Sequence, residues 1–219
     1  MVLINAASFL TLIKLLGMRT LSFALACIAA LSVMAFTQSD PLPIGSLLPK
    51  GDIKVKDISG KEVSIKELKK KNGILVMFSC NTCPYVIKNQ QRTRAICSYA
   101  QKMELGIAVL NSNAGNRNDE DSYDAMKEYG RHQRYGWVYA VDENNVLADA
   151  FGANRTPECF LFDKDLKLVY RGAIDNNPAD EKNVSRKHLQ LAIDELAAGK
   201  EVTVKETRSV GCGIKRVND

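Results

Sequence analysis

Two cysteines separated by two residues are the feature of this 219-residue sequence best suited to chemistry. They are Cys80 and Cys83, placed between the uninterrupted apolar run 74–78 and Pro84. A thiol at the start of a helix is stabilised as a thiolate by unpaired N–H groups and by the helix dipole. We therefore predict that Cys80 attacks a disulfide and that Cys83, one turn later, displaces the mixed disulfide that results.

A pair with this spacing has three other uses: a structural disulfide, half of a zinc site, or a haem attachment site. Haem attachment needs a histidine directly after the second cysteine, and Pro84 stands there. Zinc needs two more ligands, but the sequence has no second pair of this spacing, and its only histidines are His132 and His188. A redox pair is the favoured interpretation, and a structural disulfide stays open.

Three further cysteines follow the pair, so at least one of the five is unpaired within a monomer. If the helix is continuous, Cys97 lies about 21 Å along it from Cys83, whereas a disulfide tolerates roughly 7 Å between Cα atoms. We expect Cys97 to be a structural thiol and Cys159 a small core residue. Cys212, between two glycines in a polar tail, has two open roles: a structural disulfide with Cys97 or Cys159, or redox exchange with the Cys80–Cys83 disulfide.

The elements that must position these residues are predicted from apolar periodicity and turn residues. In chain order they are a hairpin over 53–65, a strand over 74–78, a helix over 84–103, a strand over 106–110, a helix over 122–134, a strand over 137–141, a hairpin over 160–170 and a helix over 186–198. The run 74–78 is typical of a strand covered on both faces, and Pro84 favours a helix start. The order predicts an α/β fold, a mixed central sheet flanked by helices, with an N-terminal β-hairpin extension.

Composition sets the domain organisation and the compartment. With 46% hydrophobic and 25% charged residues, the chain suits one domain with appendages, which we place at 47–200, preceded by a linker at 36–46 and followed by the tail 201–219. Interleaved charges and a net charge of +5 argue against a nucleic-acid partner.

The N-terminus predicts export. A basic segment and the apolar run 21–36 indicate a cleaved signal peptide over 1–35, with an uncleaved membrane anchor as the alternative. Met18 offers a second start, which would make residues 1–17 an overcalled extension. We therefore expect a periplasmic protein, in a compartment where disulfides persist.

Five motifs, taken in order, resemble a bacterial branch of the thioredoxin-like superfamily, grouped with the redoxins and the alkyl hydroperoxide reductase / thiol-specific antioxidant domain. They are Phe78-Ser-Cys-Asn-Thr-Cys-Pro-Tyr85, Asn111-Ser-Asn113, Arg155-Thr-Pro157 before Phe160-Leu-Phe-Asp163, Tyr170-Arg-Gly-Ala-Ile-Asp175, and Gly211-Cys-Gly-Ile-Lys215. The resemblance spans about Leu47–Lys215. It implies a thioredoxin fold in which the Thr156–Pro157 bond is cis, packs against the pair, and lets Thr156 bind substrate backbone.

Two departures from that family matter. Many thioredoxins carry a buried acid in the strand before the pair, and the run 74–78 contains none. Peroxiredoxins place Thr or Ser three residues before the reactive cysteine. In this sequence that position holds Met77 relative to Cys80, and Cys80 itself relative to Cys83. Disulfide exchange is therefore expected rather than direct peroxide reduction.

The expected function is a thiol–disulfide oxidoreductase with no bound cofactor or metal. Its partners would be disulfide-containing proteins or small thiols and an upstream thiol electron donor. Two alternatives are a thiol peroxidase, and a thioredoxin-fold Cu(I) chaperone, which would need His132 or His188 as a further ligand.

Overall fold

The computed structural model describes residues 40–217, which form one compact unit. The predicted signal peptide over 1–35, the second start at Met18 and the beginning of the predicted linker lie outside the described residues. Within 40–217, no helix combines the length and the apolar composition that crossing a membrane requires.

Nine strands and four α-helices form the described part of the chain. The strands are β1 (Lys54–Lys56), β2 (Glu62–Ser64), β3 (Ile74–Ser79), β4 (Gly106–Asn111), β5 (Val138–Val141), β6 (Arg155–Thr156), β7 (Glu158–Phe162), β8 (Leu168–Gly172) and β9 (Cys212–Gly213). The helices are α1 (Pro84–Lys102), α2 (Tyr123–His132), α3 (Val146–Phe151) and α4 (His188–Ala197). The predicted order of strands and helices is confirmed, but α3 and the short strands β6 and β9 were not expected.

The central sheet has five strands in the order β5-β4-β3-β7-β8. Strand β3 pairs parallel with β4, β4 pairs parallel with β5, and the remaining pairs are antiparallel. This is the mixed sheet that the sequence predicts. The hairpin of β1 and β2 lies at its β5 edge, where the Asp57 carboxylate accepts a hydrogen bond of 2.9 Å from the Tyr139 N–H.

Strand β3 is buried on both faces because its alternate residues belong to two separate cores. Leu75 and Met77 pack with residues of α1 and α4, whereas Val76 and Phe78 pack with residues of α3 on the other face. All four side chains are completely buried. Burying one large apolar side chain contributes about 1.5–3 kcal/mol, so β3 and the loop that follows it are firmly held.

Helix α1 is one continuous helix that begins at Pro84, as predicted, and has Cys83 as its N-cap. Its buried face includes the charged residue Arg92, whereas the apolar residues Tyr99 and Met103 are only partly buried. The Arg92 guanidinium is compensated by an ion pair of 2.6 Å with the buried Asp175 carboxylate. Apolar periodicity cannot reveal a buried charge whose partner lies far along the chain.

The C-terminal tail packs on the domain. Thr207 donates its N–H to the Arg171 carbonyl beside β8, at 3.1 Å. Farther along, Ile214 is 3% exposed and joins the core that contains Phe78. The polar composition of this segment therefore does not describe a detached tail, and its Cys212 packs beside the cysteine pair.

Candidate active site

The two cysteines lie between the end of β3 and the start of α1. Cys83 is the N-cap residue, whereas the sequence argument placed Cys80 at the start of the helix. Cys80 is 1% exposed and Cys83 is 5% exposed, so the closed site shows solvent little of either side chain. Both side chains pack against Val86 in the first turns of α1.

The Thr156–Pro157 peptide bond is cis, which confirms the prediction made from resemblance. It lies between β6 and β7 and brings Thr156 against both cysteines. The Thr156 hydroxyl lies 3.5 Å from Cys80 Sγ, and the Thr156 carbonyl accepts a hydrogen bond of 3.4 Å from Cys83 Sγ. Two motifs far apart in sequence thus form one site.

Glu158 stabilises the loop that carries Thr156. One of its carboxylate oxygens accepts hydrogen bonds from the N–H groups of Asn154, at 2.9 Å, and Arg155, at 3.2 Å. Burial raises the pKa of Glu158, while these hydrogen bonds oppose that rise. The carboxylate therefore fixes the backbone immediately before the cis bond.

A buried polar network holds the residues between the two cysteines. The Asp121 carboxylate accepts hydrogen bonds from the Asn81 N–H, at 2.8 Å, and from the side-chain amides of Asn111, at 2.7 Å, and Asn113, at 2.9 Å. The Tyr139 hydroxyl donates to the Asn81 side-chain oxygen at 2.7 Å. Asn81 is therefore fixed through both its backbone and its side chain.

Asp121 is the acidic group that strand β3 lacks. It is completely buried and reaches the pair from the polar segment between β4 and α2. Asp121 is not among the site residues that the sequence predicts. The available signal was Asn111-Ser-Asn113, because polar residues at the carboxyl end of a buried parallel strand commonly line a site.

The two thiols titrate as a coupled pair. A hydrogen bond from Cys80, the N–H of Val86, and the thiol and N–H of Cys212 lower the pKa of Cys83 to about 4. The hydrogen bond with Cys83 and burial raise the pKa of Cys80, and the Asp121 charge adds to that rise. The surroundings of the pair therefore lower the pKa of Cys83 and raise that of Cys80.

Cys212 is the third cysteine of the site. Strand β9 pairs antiparallel with β6, in a register that sets Cys212 opposite Thr156. Cys212 packs against the cluster that Cys80, Cys83 and Val86 form at the start of α1. Burial and the neighbouring Cys83 raise the pKa of Cys212.

Cys97 and Cys159 are separate from this site. Both are completely buried in the core between the sheet, α1 and α4, and burial raises the pKa of both. All five cysteines within the described residues are thiols. The core position predicted for Cys159 is confirmed, and of the two roles open for Cys212, the structural disulfide with Cys97 or Cys159 is not formed in the structure.

The two histidines lie apart from each other, one near the C-terminus of α2 and one at the start of α4. His132 is exposed and lines a shallow pocket with Asn81 and Thr82. His188 begins α4, and burial lowers its pKa. Among residues 40–217, no group of three or more His, Cys, Asp or Glu side chains has the geometry of a metal site.

Chemically, the arrangement suits thiol–disulfide exchange. It combines two adjacent thiols, hydrogen-bond donors that lower the pKa of one of them, and a short strand, β6, whose backbone pairs with an extended segment, here β9. These groups are the ones that such a reaction requires.

Comparison with known proteins agrees with this chemistry. The family model described as Redoxin matches residues 43–187. The thiol-disulfide oxidoreductase ResA of Bacillus thuringiensis (strain Al Hakam) is 26% identical over 134 residues, which are 61% of this chain and 72% of that protein.

Solved structures establish the fold. An uncharacterized conserved protein from Geobacillus kaustophilus is 31% identical, with a TM-score of 0.74 over 81% of this chain and 94% of that one. The thioredoxin domain of a thiol-disulfide oxidoreductase from Bacteroides vulgatus matches 60% of this chain and 89% of its own, at 19% identity and a TM-score of 0.50. The expected thioredoxin fold is thereby confirmed.

Proposed function

The chain is a thioredoxin-like oxidoreductase of the Redoxin family, and we propose that it exchanges disulfides in exported substrates through Cys80 and Cys83. The observation that carries the proposal is the position of Thr156. Its hydroxyl contacts Cys80 and its carbonyl contacts Cys83, so the segment suited to binding substrate backbone lies directly over both sulfurs.

In the proposed reaction Cys80 attacks. Its sulfur accepts hydrogen bonds from the Cys83 N–H and the Thr156 hydroxyl, and both stabilise a thiolate. The Cys80 thiolate forms a bond to one substrate sulfur, and the other substrate sulfur leaves and takes up a proton.

Cys83 then completes the exchange. Its thiolate attacks Cys80 Sγ in the mixed disulfide, and the second substrate sulfur leaves as a thiol after protonation. One substrate disulfide is reduced to two thiols while the Cys80–Cys83 dithiol is oxidised to a disulfide, so electrons balance without a cofactor. An upstream thiol donor must then reduce the enzyme again, or the same steps run in reverse to oxidise a substrate.

Where the charge resides in the resting pair depends on the tail. The hydrogen bond between Cys80 and Cys83 can hold its proton on either sulfur. The other hydrogen-bond donors to each sulfur therefore decide which of the two has the lower pKa. With the tail docked, Cys212 supplies two of the contacts that favour Cys83. Removal of those contacts should raise the pKa of Cys83, because two of the groups that lower it are then gone.

The proposed substrates are exported proteins or small disulfides. An extended polypeptide could pair with β6 through main-chain hydrogen bonds, a common mode of peptide recognition. Export is supported by the basic segment and apolar run that precede the described residues. In that compartment, substrates with persistent disulfides are available.

Insulin reduction by the full chain, with a small dithiol as the electron donor, tests this proposal. We expect turnover in wild type, its loss in Cys80→Ser and in Cys83→Ser, and its retention in Cys97→Ala, which removes a cysteine remote from the site. Equal turnover in Cys80→Ser and wild type would refute the proposal. Oxidation by hydrogen peroxide should be no faster than that of an ordinary thiol, and a much faster rate would favour the peroxidase alternative.

A further inference from the structure

The C-terminal strand β9 occupies the edge of β6, where the proposed function places substrate backbone. Arg155 pairs with Gly213 and Thr156 with Cys212. The ladder extends by one more hydrogen bond, in which Ile214 donates its N–H to the Asn154 carbonyl at 3.2 Å. The chain's own tail thus takes the position of an added strand.

The two glycines beside Cys212 differ in a way that shows how closely the tail approaches. A Cβ atom at Gly211 would lie 2.1 Å from the Thr156 carbonyl oxygen and 3.3 Å from the Pro157 nitrogen. A Cβ at Gly213 would have no atom within 4 Å apart from those of its own residue and its two neighbours in the chain. Gly211 therefore permits contact between the tail and the cis peptide bond, whereas Gly213 has room for a side chain.

Contacts beyond the strand fix its register. The Lys215 N–H donates to the Asn113 side-chain oxygen at 3.0 Å, and the Lys215 carbonyl accepts the Gly115 N–H at 3.0 Å. Asn113 also donates to Asp121. The network that holds Asn81 between the two cysteines therefore also holds the tail, so Cys212 is positioned from both sides.

Cys212 is directed at the pair. It packs against the cluster of Cys80, Cys83 and Val86, and strand pairing sets it opposite Thr156, which contacts both sulfurs of the pair. The nearest reaction partner for Cys212 is therefore Cys83 and not either of the core cysteines, Cys97 and Cys159.

We propose that the segment Gly211-Cys212-Gly213 is a built-in substrate mimic and that Cys212 is a third reacting thiol of the active site. The proposal rests on the proposed function for the redox activity of the Cys80–Cys83 pair. Its geometric basis is the β6–β9 pairing, the close approach of Gly211 to Thr156, and the contact of Cys212 with Cys83.

The exchange step is balanced without an external reagent. The Cys212 thiol loses its proton and attacks Cys83 Sγ of the oxidised pair. The Cys80–Cys83 bond breaks, a Cys83–Cys212 bond forms, and Cys80 leaves as a thiolate that takes up the released proton. One disulfide and one thiol are present before and after the step.

This step has a functional consequence for external substrates. A substrate that pairs with β6 must first displace β9, so the tail competes with it. A variant with a weakened tail should bind substrate more readily, provided that the pair itself is intact.

Disulfide mapping of the full chain tests the exchange. The Cys80→Ser chain is oxidised with diamide, which accepts the two electrons, and is then alkylated and digested without reduction. We expect a Cys83–Cys212 linkage, with Cys97 and Cys159 alkylated only after unfolding. The proposal would be overturned if Cys83 and Cys212 were both oxidised without forming that linkage. A Cys97–Cys212 or Cys159–Cys212 linkage in its place would also overturn it.

A matched pair of glycine variants tests the competition. Gly211→Ala should slow formation of the Cys83–Cys212 linkage at least fivefold and lower KM for insulin, while Gly213→Ala should change neither. Equal behaviour of the two variants would contradict the proposed docking. The Cys83–Cys212 linkage is measured in the absence of insulin. If wild type did not reduce insulin, the proposed function would be refuted, but the linkage measurement would still test the present proposal.

Discussion

The Cys80 and Thr156 side chains meet at 3.5 Å although 76 positions separate them in the sequence. This contact joins the loop after β3 to the cis peptide loop before β7, and antiparallel pairing of β3 with β7 holds both loops at one end of the sheet. The contact matters because a hydroxyl that donates to a sulfur stabilises its thiolate.

Thr156→Val removes the hydroxyl and keeps the carbonyl that accepts from Cys83. A hydrogen bond to a charged group contributes about 1.5–3 kcal/mol, so the variant should lower kcat/KM for insulin at least tenfold. The pH profile of kcat/KM should shift to higher pH, since the Cys80 thiolate loses a donor. Thr156→Ser keeps the hydroxyl and is the control. A profile that stays unchanged in the valine variant would show that the contact has no role in activation.

Asp121→Asn removes a buried charge whose oxygens accept three hydrogen bonds from Asn81, Asn111 and Asn113. Because an unsatisfied buried group costs about 1–3 kcal/mol, the variant should unfold at lower urea concentration. Removal of the charge should also lower the pKa of Cys80, since Asp121 helps to raise it. Asp119→Asn changes an exposed carboxylate nearby and should alter neither quantity. If the pH dependence of Cys80 alkylation were the same in Asp121→Asn and in wild type, the predicted effect of the Asp121 charge on the pKa of Cys80 would be contradicted.

The reduced chain should be stabilised by the Cys83 thiolate in a pH-dependent way. The pKa of Cys83 is lowered to about 4 in the folded chain, against an ordinary cysteine value of about 8.5 when unfolded. A depressed pKa adds stability that is complete above about 8.5 and is lost as pH falls through about 4. The free energy of unfolding is measured with urea between pH 4 and 8 for the reduced chain and for the oxidised chain. The value for the reduced chain minus that for the oxidised chain should fall as the pH falls. A constant difference would contradict the assignment of the charge.

Arg92→Met leaves the Asp175 carboxylate buried without its ion-pair partner. Breaking a buried pair in this way costs about 3–5 kcal/mol, so the urea midpoint should fall strongly. Lys54→Met, which breaks an exposed pair with Glu67, should cost at most about 1 kcal/mol. Equal effects of the two substitutions would show that the Arg92–Asp175 pair does not stabilise the fold.

The sequence predicts the sheet and the cysteine pair well because their signals are local. The run 74–78 is apolar at every position, and Pro84 defines a helix start, so β3 and α1 follow from short stretches of chain. The site residues Asp121 and Glu158 were missed because an acidic side chain in a polar segment usually indicates exposure. Their burial depends on amides and N–H groups contributed by the folded backbone, and β9 likewise becomes a strand only by pairing with β6.

The roles of the two cysteines are where sequence and structure differ most. The sequence places Cys80 at the helix start and assigns it the attack, whereas the structure makes Cys83 the N-cap and lowers its pKa. Part of that lowering comes from Cys212, which is held beside Cys83 by the pairing of β9 with β6.

Trapping of the mixed disulfide tests the central claim most directly. Two variants, Cys83→Ser and Cys80→Ser, each also carrying Cys212→Ser so that the tail thiol cannot resolve the adduct, are incubated with insulin and mapped by mass spectrometry without reduction. We predict a stable insulin adduct on Cys80 in the Cys83→Ser chain and little or none on Cys83 in the Cys80→Ser chain. An adduct found only on Cys83, or on neither cysteine, would contradict the account.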